Sequence, residues 1–434
     1  MGRMESALRS LPRRRTQPFS SLGRTARCFL GRTVRCERSG CERPDCPVGR
    51  QTEIVMNPAG PPDPIPADTA PVPTQPNRSD GDNRLPEWLL EATRCGASDL
   101  HVVAGYPPVL RVHGQLRELP GGPLESESLR RWLLQWLPLP AHERFLTERN
   151  ADFAMELDRE GTRQRYRANY FFAADQIGGC FRVIPDQIPD FDWAGFPFEL
   201  AERLVAFRNG LILFCGVTGA GKTTSLAMII NLLCQRSGCR VVTIEEPIEY
   251  RFPHYPGSVV SQREVGTDVR SFDEGLKFAL RQDPDAILVG EIRDRETAQT
   301  ALRAAETGHL VFSTMHTRDA KGAISRYTDL FDQDSQQEIR SQLASGLRAV
   351  ISQHLLRSFA DDLKRVLALE TLFNTSQVAI SIRNGKLESI DNTIQTGRAE
   401  GMLPLSESVR RHFQSGLIDR ETAERFVQDR SYLR

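Results

Sequence analysis

Nowhere in the 434 residues do apolar side chains run on for the roughly 18 positions that a membrane-spanning helix needs. The longest such stretches, LILFCGV at 211–217 among them, are strand-sized, so a soluble chain is expected. The first fifty residues start with positive charge but carry no apolar segment behind it, which argues against a secretory signal. Lysine is missing altogether from residues 1–55, where twelve Arg stand against five acidic residues. That leaves an excess of +7 in the extension, and because Lys+Arg and Asp+Glu both total 56, the rest of the chain carries −7. A broad basic surface for nucleic acid is therefore lacking beyond the extension. Also lacking is the paired cysteine spacing of a zinc knuckle: Cys36, Cys41 and Cys46 follow one another at five-residue intervals, with Cys28 upstream. The other five, Cys95, Cys180, Cys215, Cys234 and Cys239, are scattered through strand-like and helix-like stretches and read as reduced packing residues.

What is present divides the chain. Residues 1–83 are rich in Arg, Pro, Gly and Ser, and NPAGPPDPIPADTAPVPTQPNRSDGDN at 57–83 offers almost nothing to bury, so the extension is expected to be disordered and dispensable, with Met56 as an alternative start. A small α+β domain is expected at 84–185. It opens with an amphipathic helix in PEWLLEATRCG, and alternating stretches follow at DLHVVAG, VLRVHGQLREL, ADFAMELD, RYRANYFF and GGCFRVIP, with a helical LRRWLLQWL among them. The Pro-rich stretch through 186–203 reads as a linker. From 204 to 360, short apolar runs (LILFCGV, RVVTIEE, AILVGE, HLVFST) alternate with helical segments, the pattern of a parallel sheet covered by helices. Ser271 and Glu274 form a capping box that opens a helix in SFDEGLKFALRQD. Residues 335–420 read as mainly helical, and 361–434 as a helical closing region.

The chemistry concentrates in GVTGAGKTT, that is Gly216, Val217, Thr218, Gly219, Ala220, Gly221, Lys222, Thr223 and Thr224. It matches the phosphate-loop pattern between an apolar strand and a helix. Its glycines let backbone N–H groups converge on phosphates, the following helix points its positive end at them, Lys222 brings a mobile charge to the β and γ phosphates, and Thr223 holds magnesium. ATP and Mg²⁺ are thus the expected cofactors. Glu245, Glu246 and Glu291 follow the apolar runs RVVTI and AILVG. In an open parallel sheet such positions border the crevice of the phosphate loop, where phosphoryl transfer to water needs a carboxylate to orient the water and another to support the metal. His316 ends the strand in HLVFST on the phosphate side, and His309 precedes that strand at its other end.

Taken together, GVTGAGKTT, TIEEPIEY, SQREVGTDVRSFDEGLKFALRQDPDAILVGEIRDRET and AAETGHLVFSTMHT closely resemble the secretion-type ATPases of type IV pili. SDLHVVAGYPPVLRVHGQLR at 98–117 and RYRANYF at 165–171 resemble the N-terminal domain of the twitching-motility retraction ATPases, and NGKLESIDNTIQTGRAEGMLPLSESV at 384–409 their C-terminal helices. The likeness spans about residues 85–425. It implies an α/β protein with a small PAS-like α+β domain, a RecA-like P-loop NTPase domain and a helical C-terminal region. By position it implies that Glu245 is the water-activating glutamate and Glu291 the Walker B glutamate, with His309 and His316 as the histidine box. Glu246 stands where the family usually has Asp, so its charge is kept on a longer arm. Arg165, Arg167 and Arg182 fall on strands whose arginines reach nucleotide, and Arg167 and Arg182 are expected to act on a neighbouring subunit's ATP.

The same resemblance implies a cytoplasmic homohexamer, peripheral to the inner face of the membrane, that works with an inner-membrane platform protein and the pilus machinery without contacting nucleic acid directly. Retraction is favoured because neither a tetracysteine insertion nor a large extra N-terminal domain is visible. VAISIRNGK at 378–386 corresponds only loosely to the family's AIRNLIRE motif. An accessory retraction motor and a secretion-system ATPase are the alternatives within the family. A nucleic-acid translocase and an ATP-binding scaffold are the alternatives outside it.

Overall fold

The computed structural model describes residues 82–433, apart from 113, 160, 161, 186, 237, 360–364 and 428–432. The extension at 1–81, with Cys28, Cys36, Cys41 and Cys46, lies outside the described residues, as do the expectations attached to it.

Pro86 opens α1 (Leu85–Arg94), whose apolar stripe of Leu85, Trp88, Leu89 and Ala92 is buried. Two short strands and a hairpin partner follow, β1 (Asp99–Val103), β2 (Val109–Val112) and β3 (Gln115–Glu118), then α2 (Ser126–Trp136), capped by the Glu125 carboxylate, and α3 (Leu139–Glu148). Three long strands, β4 (Asn150–Arg159), β5 (Thr162–Ala173) and β6 (Gln176–Ile184), complete a six-stranded antiparallel sheet in the order β3-β2-β1-β6-β5-β4. Its core is aromatic: Phe145, Tyr166, Tyr170 and Phe181 are fully buried. Every strand expected in this region is found.

The stretch expected to be a linker carries two helices, α4 (Phe191–Ala194) and α5 (Phe198–Val205). Ala201 and Leu204 of α5 join the same core as the following sheet, so the segment is built into the nucleotide domain rather than slung between domains. That domain contains β7 (Gly210–Cys215), α6 (Lys222–Arg236), β8 (Arg240–Glu245), β9 (Val259–Glu264), α7 (Phe272–Ala279), β10 (Ala286–Val289), α8 (Arg295–Glu306), β11 (Leu310–Met315), α9 (Ala320–Asp329) and α10 (Gln333–Gly346). The Ser271 hydroxyl accepts from the Glu274 N–H at 3.1 Å, as a capping box requires.

Two further strands, β12 (Leu347–Arg357) and β13 (Arg365–Phe373), occupy a region expected to be helical. LRAVISQHLLR spaces its apolar residues as a helix would, but Ala349, Val350, Ile351, Ser352 and Gln353 are buried on both faces, and the strand pairs in parallel with β7 from Leu347↔Leu211 to Ser352↔Cys215. Tertiary burial overrides local periodicity here. The sheet order is β13-β12-β7-β11-β10-β8-β9, with β13 antiparallel at one edge. Helices α11 (Ser376–Arg383), α12 (Glu388–Thr396), α13 (Leu405–Gln414) and α14 (Arg420–Phe426) then close the chain as expected.

Candidate active site

The phosphate loop leaves the buried strand β7 and enters α6 at Lys222. Gly216, Gly219 and Gly221 have φ values of 150°, 80° and 83°, a left-handed run that exposes successive amides to one concavity. At Gly216 the constraint is also steric, because a Cβ would lie 2.6 Å from the Gln353 carbonyl oxygen of β12. The strand that sequence reasoning missed is thus the wall against which the loop is folded, and the buried Gln353 side chain donates to Ser225 of α6 at 2.9 Å. Lys222 is buried, and its Nζ donates to the loop's own carbonyls at Gly216 (2.8 Å) and Val217 (3.2 Å). Burial lowers its pKa from the ordinary lysine value, as suits a cation held for phosphate oxygens. The glycine-rich cradle, the helix N-terminus and this lysine together fit a nucleoside triphosphate.

Four neighbouring strands, β7, β11, β10 and β8, deliver the phosphate loop, His316, Glu291 and Glu245 at their carboxyl ends. The Thr314 and Ser313 hydroxyls donate to the carbonyls of Gly290 (2.7 Å) and Val289 (2.8 Å), pinning the turn that carries Glu291. His316 Nε2 is 3.2 Å from Glu291 Oε2, and the Arg293 guanidinium reaches Glu291 Oε1 at 2.5 Å and Glu246 at 3.6 Å. Glu245 is only 6 % exposed, and its Oε1 accepts from Thr243 (2.6 Å) and from Gln262 (3.1 Å). Burial pushes its carboxyl up to about 7, against the pull of those hydrogen bonds. A carboxylate poised near neutrality suits a group that orients or deprotonates water. His309 does not join this cluster. Its ring bonds the Ala304 carbonyl at 3.1 Å, about 20 Å away along β11 from His316 by strand rise.

No group of three or more His, Cys, Asp or Glu able to hold a metal occurs among the described residues. The site therefore fits magnesium only in the way that ion is usually held, by nucleotide phosphates with the Thr223 hydroxyl and one or two carboxylates such as Glu291 and Glu246.

Above the crevice stands the N-terminal sheet. Arg167 and Arg182 are directly opposite one another in the β5–β6 ladder, an arrangement of like charges that costs stability and calls for anionic company. Each has a carboxylate in its own domain, Asp152 for Arg167 at 3.7 Å and Asp99 for Arg182 at 3.0 Å. Both also pull down the carboxyl of Glu249, in the same chain, although burial raises it overall. Arg165 donates to the Glu249 carbonyl at 3.2 Å. Arg165 thus ties the N-terminal sheet to the segment after β8 within one chain. In the single chain Arg167 and Arg182 therefore pair with carboxylates of their own domain, on strands next to the segment that follows β8.

A scan against protein families matches residues 196–426 to the "Type II/IV secretion system protein" family. The chain belongs to that family. It is 38% identical over 340 residues to the type IV pilus retraction ATPase PilT of Pseudomonas aeruginosa, covering 78% of this chain and 96% of that one. It is 37% identical over 334 residues to the uncharacterized protein YggR of Escherichia coli K12, covering 77% and 99%. Among solved structures it resembles the pilus retraction motor PilT with bound ADP, at a TM-score of 0.70 and 37% identity, over 80% of this chain and 97% of that one.

In this secretion-family chain, sequence reasoning missed Glu249, Arg293 and Gln353. Glu249 was printed in TIEEPIEY and Arg293 in GEIRD. Nothing in the spacing alone told a charge aimed at the crevice from one on a solvated turn. The five cysteines 95, 180, 215, 234 and 239 are free, and burial raises the Cys215 thiol to about 12.

Proposed function

We propose that this chain is an ATP-hydrolysing motor that retracts a type IV pilus, acting as a homohexamer at the inner face of the cytoplasmic membrane and engaging an inner-membrane platform protein of the pilus machinery. The chain is an ATPase of the retraction class. The observation that carries this reading is the delivery of a phosphate loop, His316, Glu291 and Glu245 by four adjacent strand ends beneath an arginine-bearing sheet. No helix among the described residues is long and apolar enough to cross a membrane.

Lys222 and the loop amides hold the phosphates, and Glu245 orients the attacking water. Magnesium, when bound, supplies further charge neutralisation on the phosphates, with Thr223, Glu291 and Glu246 as the residues that would hold it. Arg167 and Arg182 meet charge that develops in the transition state, so closing the N-terminal sheet over the crevice couples chemistry to motion.

The test is mixing. Inactive Arg167→Ala and Glu245→Gln subunits, shown with differently tagged chains to exchange into common hexamers, are expected to regain partial turnover, because some interfaces then pair an intact Arg167 of one chain with an intact Glu245 of the next. Turnover that stays at the background of the two parents in mixed rings would make the arginine a cis or structural residue. A monodisperse monomer at all concentrations would contradict the ring.

A further inference from the structure

The last residues of β12 run on past the end of β7. Pairing with β7 stops at Ser352↔Cys215, whereas pairing with β13 continues to Arg357↔Arg365, so Gln353 is held in a ladder just where β7 gives way to the phosphate loop. This one residue meets both ends of that loop. Its backbone carbonyl lies against Gly216, where a Cβ would come within 2.6 Å of the oxygen, and its side-chain amide donates to the Ser225 hydroxyl at 2.9 Å. The Ser225 N–H in turn donates to the Gly221 carbonyl at 3.0 Å. The opposite face of the strand is committed elsewhere, since Ser352 and His354 both donate to the Arg318 carbonyl at 2.9 Å. The Gln353 side chain is fully buried, and its Oε1 has no hydrogen-bond partner among the described residues. An unpaired buried carbonyl oxygen destabilises the fold, so stability alone would favour an apolar side chain at this position.

We propose that Gln353 is a positioning residue for the nucleotide. Meeting Gly216 with its backbone and Ser225 with its side chain, it fixes the spacing between the end of β7 and the first turn of α6, and with it the set of loop amides that converge on the phosphates. Backbone N–H groups hold an anion only when they are aimed together. Without the tie to Ser225, α6 is free to shift against β12, and that aim is lost. The phosphates gripped by the loop are common to ADP and ATP, so the loss falls on binding rather than on the chemical step and raises KM with little change in kcat. The inference rests on the ATPase reading above.

Titration of the full chain with a fluorescent ADP analogue, alongside thermal melting without nucleotide, tests this. Gln353→Met keeps an unbranched apolar stem and lacks the amide. It should weaken affinity about fivefold or more, yet melt within about 3 °C of wild type or above it, because the unpaired oxygen leaves with the amide. Steady-state hydrolysis should show KM raised to match and kcat within about threefold of wild type. Ser225→Ala removes the other partner and should weaken affinity by a similar factor, and the double variant should bind within about twofold of Gln353→Met. Affinity of Gln353→Met within about twofold of wild type overturns the proposal. A melting temperature that falls in step with affinity also overturns it, marking a purely structural residue, and so do additive losses in the double variant. Should Gln353→Met fail to fold, Ser225→Ala decides alone, and binding within about twofold of wild type again overturns the proposal. A wild type that does not bind the analogue refutes the nucleotide-site reading itself, and this inference with it.

Discussion

Replacing Glu245 with Gln should make the nucleotide-free protein more stable at pH 8 than at pH 5, relative to wild type. Burial raises the Glu245 carboxyl to about 7 from an ordinary value of 4.5. Between those values the folded state binds more protons at this site than the unfolded state does, so wild-type stability falls as pH rises through the window. At about 1.4 kcal/mol per tenfold change in proton affinity, the full cost of ionising Glu245 is about 3 kcal/mol. Gln keeps an oxygen for Thr243 and Gln262 but buries a new amide donor, a cost of roughly 1 to 3 kcal/mol that does not vary with pH. The stability difference between variant and wild type should therefore shift by about 3 kcal/mol in the variant's favour from pH 5 to pH 8, whatever its absolute sign. Urea unfolding at the two pH values reads this directly. A difference that stays constant with pH would show that the carboxylate is solvated, and the reasoning that makes it a poised base would fail. Glu370 is the control. Burial also raises it to about 7, but it accepts from the Ala320 N–H at the start of α9, so Glu370→Gln should remove a similar pH dependence and leave turnover intact.

Gly216→Ala should abolish nucleotide binding and lower stability by roughly 1 to 3 kcal/mol, measured by thermal melting, since the new methyl group meets the Gln353 carbonyl and the backbone holds φ at 150°. Glu291→Gln should bind the fluorescent ADP analogue normally yet hydrolyse ATP about a hundredfold more slowly, equivalent to about 2.7 kcal/mol of barrier. His309→Ala should leave nucleotide affinity within about twofold in the same titration, because its ring sits at the far end of β11.

Much of this was legible in the sequence because local signals and tertiary context agreed. Apolar runs at β7, β8, β10 and β11 are buried on both faces, as parallel strands under helices should be, and the phosphate loop depends on residue types at fixed spacing. The failures have a common cause. For β12 and for the stretch at 186–203, the decisive interactions are distant: pairing of Leu347–Ser352 with β7, and burial of Ala201 and Leu204 against the nucleotide core. Strand β9 was missed because its polar, half-exposed sequence VVSQRE carries no apolar signature. The same limit explains Glu249, whose carbonyl accepts from Arg165, 84 residues away in the chain.

The central claim is that ATP is hydrolysed in the crevice between the phosphate loop and the N-terminal arginines. Steady-state hydrolysis by purified wild type and Lys222→Ala, each with its nucleotide affinity measured in parallel, tests it most directly. Wild type should turn over ATP, and Lys222→Ala should bind weakly and show no turnover above background. Turnover by Lys222→Ala within a few-fold of wild type would contradict the account.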